Sequence, residues 1–261
     1  METSGNVAIA FGLTLLAGLS TGIGSAIAYF IRRPKIVYLS FSLGLSGGVM
    51  VYVSFMELLP DAADSVGEPL SLLFFFAGIA FIGIVDLLVP QKENPHNLEG
   101  LEDPKRPDQT HALTRTGVMT ALAIAIHNFP EGLAVFASAL SDPRLGLFIA
   151  IAIAIHNIPE GIAVSMPILY ATGNKNKAFF YSFFSGMSEP AGALVGYLLL
   201  MPFLNANSVV LAGTLAFVAG VMVYISFDEL LPMAHSYGHG HLVISGVVLG
   251  MLLMALSLMA L

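Results

Sequence analysis

The sequence predicts an all-α membrane protein of eight transmembrane helices, with an inverted repeat of helices 1–3 and 6–8 around helices 4–5. Three observations predict it. The chain is 56% hydrophobic and only 10% charged over 261 residues, the composition of a polytopic membrane protein and not of a soluble domain. Apolar runs of about 20 residues recur between polar or Pro/Gly breaks. Two short segments, finally, are each written twice.

The apolar runs place spans at 6–31, 36–59, 70–90, 116–140, 145–170, 178–201, 208–232 and 243–260, all within one membrane domain covering 1–261. No basic stretch precedes the first run, which opens METSGNVAIA, so it reads as a retained span and not as a signal peptide. Arg32, Arg33 and Lys35 separate spans one and two. Lys92, Lys105, Arg106 and Arg115 separate three and four, and Lys175 and Lys177 separate five and six. Arg144 alone of the ten positive charges falls on the other side. By the positive-inside rule the basic face is cytoplasmic, which puts both termini outside, in a cell inner membrane. Residues 91–115, QKENPHNLEGLEDPKRPDQTHALTR, form the one long polar loop. Its prolines and mixed charges favour a disordered linker in which His96 and His111 are solvated.

Residues 48–60 in span two, GVMVYVSFMELLP, return at 220–232 in span seven as GVMVYISFDELLP. Spans two and seven are an odd number of crossings apart, so the copies run in opposite directions. Inverted repeats around a midplane site are a signature of secondary transporters. The inversion sorts the acids. Glu57, Asp61, Asp64 and Glu68 fall near the outer mouth, with no Lys or Arg among them. Asp86, Asp228, Glu229 and His235 fall near the cytoplasm. The first group reads as a vestibule that attracts cations and the second as an exit. His239 and His241 sit in a polar loop with His235.

The second duplication carries the chemistry. Residues 123–135 read AIAIHNFPEGLAV and residues 152–164 read AIAIHNIPEGIAV. His127 and Glu131 are four residues apart, as are His156 and Glu160, so each pair lies on one helix face with Cβ atoms roughly 5–6 Å apart. Two imidazoles and two carboxylates suit a divalent cation such as zinc or ferrous iron. Asn128 and Asn157 lie about 100° round from the histidines, yet three residues before the same glutamates. Each glutamate can thus serve a His-side and an Asn-side position. Pro130 and Pro159 each free a carbonyl four residues back, which the bilayer tolerates only where something else satisfies it. Glu189, in GMSEPAG of span six, is a further acid at depth and would complete the Asn-side position. A lone His or Pro in such a helix is more often a packing or kink residue. A carboxylate near the bilayer centre costs about 2.5–3.5 kcal/mol to insert, and two of them at duplicated His spacing are hard to explain by packing.

Composition narrows the rest. Cysteine is absent, which excludes disulfides, thiolate metal sites and cysteine nucleophiles. A net charge of −7 argues against nucleic acid as a partner and suits cationic cargo. The twelve methionines are scattered filler, and Gly18 and Gly22 have the spacing of close helix packing.

The paired HNFPEG and HNIPEG, the SEP of span six and the eight-span layout resemble the ZIP family of metal-ion transporters, in particular its bacterial ZupT-like branch, over the whole chain. The resemblance implies one metal position formed by His127, Glu131, His156 and Glu160. A second, beside it, would use Asn128, Glu131, Asn157, Glu160 and Glu189. It also implies uptake of zinc, and of iron, manganese, cobalt or cadmium, by an elevator-like slide of spans one, four, five and six, usually in a homodimer. No resident cofactor is expected; the metal is cargo. The loop lacks the His-rich tract of many eukaryotic members. Some relatives carry Gln-Asp where this chain has His156-Asn157. The competing reading, an intramembrane zinc hydrolase, would need an open coordination position and a general base, and the sequence has no HExxH pairing.

Overall fold

The computed structural model describes residues 2–30, 36–88, 125–126, 128–200, 208–236 and 238–259, and among these it contains helices and turns but no strand. In chain order the helices are α1 (Glu2–Phe30), α2 (Ile36–Val53), α3 (Leu59–Val66), α4 (Glu68–Leu88), α5 (128–141), α6 (Pro143–Thr172), α7 (Lys175–Gly186), α8 (Ser188–Leu200), α9 (Ser208–Ile225), α10 (Leu231–Ser236) and α11 (Gly240–Met259). Six helical stretches among the described residues are long and apolar enough to cross a membrane. They are Asn6–Ile27, Ser40–Val66, Glu68–Leu87, Pro143–Ile162, Val209–Ser236 and Gly240–Met259. One expected span differs, and another is described only in part. Residues 116–124 of the fourth lie outside the described residues, as does the expected linker 91–115. The sixth, expected to be continuous over 178–201, breaks at Met187 into helices of 12 and 13 residues. The break has a local cause: Pro190 has no amide to bond the Gly186 carbonyl, and its ring crowds that carbonyl.

The second and seventh spans each contain a π-turn, Ser54–Leu58 and Ser226–Leu230, at equivalent points of the duplicated segment. In both, a leucine amide reaches back five residues, Leu59 to the Ser54 carbonyl and Leu231 to that of Ser226. Pro60 and Pro232 follow at once. A proline cannot donate and clashes with the carbonyl four residues back, and a widened turn relieves that crowding.

Helix ends follow their sequence. Asp142 caps α6 by accepting the Arg144 amide at 2.7 Å, ahead of Pro143. Gly173 closes α6 in the left-handed conformation, φ +62°, which costs glycine nothing. Asn174 then caps α7 through the Lys177 amide.

The helices pack in two groups. Helices α7 and α8 lie against α1, and α6 lies against both α1 and α7; in the other group α2 packs on α11 and α4 on α9. Glycines set the close crossings. A side chain at Gly44 or Gly48 would collide with the backbone of Val243 or Val247, so α2 and α11 advance in step and run parallel. Phe74 against Gly213 and Gly83 against Tyr224 make α4 and α9 parallel in the same way. The outward faces carry Leu73, Phe76, Ile84, Leu198 and Leu252, all exposed, as a hydrocarbon-facing surface should. Polar side chains are turned inward, and the two groups of helices meet where α2 lies along α6.

Candidate metal site

The turn at Asp142 folds α5 back along α6, and Gly146 lets the two approach at Ala139. This brings the duplicated segments together. Glu131 from α5 and His156 and Glu160 from α6 are fully buried, and one ligand atom from each lies within 4.8 Å of the other two. Among the described residues it is the one group of three such side chains placed to hold a metal. His127 lies outside the described residues.

The imidazole is held in a definite sense. His156 Nδ1 lies 3.2 Å from the Ala152 carbonyl, and Nε2 lies 3.0 Å from Glu131 Oε1. A carbonyl can only accept, so Nδ1 donates to it, and Nε2 is left as the ring nitrogen that faces the carboxylates and can ligate a cation in place of its contact with Glu131. That is the usual arrangement of a metal-ligating histidine. The same turn of helix that sets His156 over Ala152 sets Glu160 over His156.

The Asn-side residues gather beside this group. Asn128, Asn157 and Glu189 are fully buried. Asn157 Nδ2 donates to Glu189 Oε1 and, at 3.0 Å, to the Ala17 carbonyl. Asn128 Nδ2 is 3.4 Å from the Ser185 carbonyl. With its nitrogen engaged, Asn157 presents its oxygen, and neither Asn157 Oδ1 nor Glu189 Oε2 has a hydrogen-bond partner among the described residues. A buried oxygen left in this way costs about 1–3 kcal/mol, unless a cation or water meets it. Glu189 is placed by the break at Met187, at the start of α8, and Gly132 packs directly on its backbone. Ser185 and Ser188 bond backbone carbonyls one turn back. Ser46, which no sequence signal marked, donates from α2 to Glu160 Oε1.

A family model described as ZIP Zinc transporter matches residues 86–258. The zinc transporter ZupT of Clostridium perfringens is 50% identical over 280 aligned residues, covering 99% of this chain and 98% of its own length. ZupT of Nitratidesulfovibrio vulgaris is 54% identical, covering 99% of each chain. ZupT of Chlorobium phaeovibrioides is 56% identical, over 95% of this chain and 96% of its own. The chain belongs to the ZIP family.

ZIP proteins are transporters and not enzymes, so the hydrolase reading finds no support, and the apolar helices make this ZIP chain an integral membrane protein. Its outlying acids fall in two clusters. Glu57 lies within electrostatic reach of Asp61, and Asp61 within reach of Asp64 and of Asp142. Asp142, the cap of α6, joins this cluster, and no sequence signal marked it. Glu68 and Asp64 are exposed. At the other cluster, Asp86 and Glu229 surround Tyr224, which hydrogen-bonds Asp228. Asp86 and Asp228 come from α4 and the second π-turn, whose packing brings distant residues together. His235 is exposed at the end of α10.

Proposed function

We propose that this chain carries divalent metal ions into the cytoplasm, zinc above all and iron, manganese, cobalt or cadmium as further cargoes, through a midplane site worked by alternating access. The observation that carries the reading is the buried trio Glu131, His156 and Glu160, with ligand atoms within 4.8 Å of one another. Two carboxylates at that separation in a low-dielectric interior repel one another, and a doubly charged ion removes the penalty. Asn128, Asn157 and Glu189 supply the oxygens of a second position alongside, and His127 a second imidazole. Resemblance to zinc transporters over nearly the whole length supports zinc as cargo.

Eight spans in an inverted repeat, with both termini outside and a homodimeric assembly, complete the reading. The repeat is supported by packing. Gly48 meets Val247, and its counterpart Gly220 meets Phe75; Gly78 meets Phe217, and Gly250 meets Leu45. The residue offset that relates Gly48 to Gly220 also relates Phe75 to Val247, Gly78 to Gly250 and Leu45 to Phe217, as one packing used twice would require. Metal would enter past Glu57, Asp61 and Asp64 and leave past Asp86, Asp228, Glu229 and His235.

Purified protein in liposomes is expected to take up zinc, with Glu131→Ala and His156→Ala each abolishing uptake while still inserting. Zinc uptake at the wild-type rate by either variant would refute the proposed site. Competition by iron or manganese in the same vesicles ranks the cargoes.

A further inference from the structure

Among the described residues, the hydroxyl of Ser46 is a point at which the second group of helices touches the metal site. Glu131, His156, Glu160 and Glu189 all stand on α5, α6 and α8. Ser46 stands on α2, is fully buried, and donates to Glu160 Oε1 across 114 residues of sequence. Its mounting is stiff. Gly44 and Gly48, two residues to either side, face α11 so closely that no side chain would fit. Positions two apart point to nearly opposite sides of a helix, so Ser46 is turned to α6.

We propose that Ser46 is a positioning residue that makes the site's affinity depend on where α6 stands along α2. This rests on the transport reading above and deepens it. A carboxylate that ligates a metal is held in its working rotamer by its own hydrogen-bond donors, and losing such a donor typically lowers metal affinity about 10–100-fold. Here the donor belongs to the opposing group of helices. The hydroxyl reaches Glu160 only at the register in which Ser46 and Glu160 are level, and a slide of one helical turn, about 5.4 Å, carries the carboxylate beyond hydrogen-bond distance. Glu160 thus has this donor in one arrangement and lacks it in the other. An alternating-access carrier needs that difference, binding on one side and releasing on the other.

The test is zinc uptake by Ser46→Ala, Ser46→Thr and Ser46→Val in liposomes, with KM and maximal rate measured separately. Removing the hydroxyl should raise KM about tenfold or more in the Ala and Val variants, with maximal rate within about twofold of wild type, since release needs no help from Ser46. Thr keeps the hydroxyl at the bulk of Val, so it should hold the wild-type KM. An unchanged KM in Ser46→Ala, or a loss confined to maximal rate, overturns the proposal. So does equal behaviour of the Thr and Val variants. If wild-type protein itself takes up no zinc, the transport reading has failed; if wild type transports and Ser46→Ala matches its KM, only the role of Ser46 has failed.

Discussion

Replacing Gly132 by alanine adds one methyl group that touches no metal-binding atom, yet it should nearly abolish transport. Gly132 follows Glu131 on α5 and lies on the backbone of Glu189. A Cβ there would stand 2.6 Å from the Glu189 Cα, where ordinary contact begins near 3.4 Å, and it would press harder still on the Glu189 carbonyl. Backbone cannot rotate away as a side-chain tip can, so α5 and α8 must part by more than about 0.8 Å at the level of both acids. Overpacking of this kind costs about 1–3 kcal/mol, too little to prevent folding of a well-packed bundle. A misplacement near 1 Å at a working site costs about 100-fold. Zinc uptake by Gly132→Ala in liposomes should therefore fall about 100-fold, with monodisperse protein and a modest drop in melting temperature. Gly12→Ala is the control, because nothing lies within 4 Å of its Cβ position, and it should transport as wild type does. Uptake by Gly132→Ala within twofold of that control would refute the idea that α5 and α8 hold their acids in fixed register.

Neutralising the outer cluster, with Asp61→Asn, Asp64→Asn and Asp142→Asn together, should raise KM several-fold at low ionic strength. The effect should fade as salt approaches 1 M, where the screening length is about 3 Å; a salt-independent change would show that these acids act by contact. Acidification should weaken zinc affinity, because carboxylates and imidazole bind metal only when deprotonated. KM measured from pH 7.5 to 5.5, with zinc buffered, should rise steadily as pH falls, and a flat profile would contradict the proposed ligand set.

Much of the site was legible because its logic is local. The four-residue step from His156 to Glu160 and the three-residue step from Asn157 are properties of one helix, and the second copy announces a partner. What the sequence left dark depends on distance or on crowding. Ser46 reaches Glu160 from 114 residues away, and a serine among glycines in an apolar run carries no signal of where it points. The interruption at Met187 was half visible in Pro190, but apolar content on both sides outweighed it and suggested one continuous span. The two π-turns were hidden for a related reason: each proline was visible, but not that the backbone would widen to accept it. Asp86 and Asp228 could be assigned to one depth from span direction, whereas their meeting around Tyr224 needed the crossing of α4 and α9.

The tight turn at Asp142 works as a hinge pin for a pair of calipers. Glu131 lies 11 residues before it and His156 14 residues after it, so at about 1.5 Å per residue the arms are roughly 17 and 21 Å long. Nearly equal arms put the two jaws at one depth without any measurement against the membrane itself. An insertion of three or four residues in one arm would slide that jaw by about 5 Å, leaving each half of the site intact and the two unable to close on the same ion.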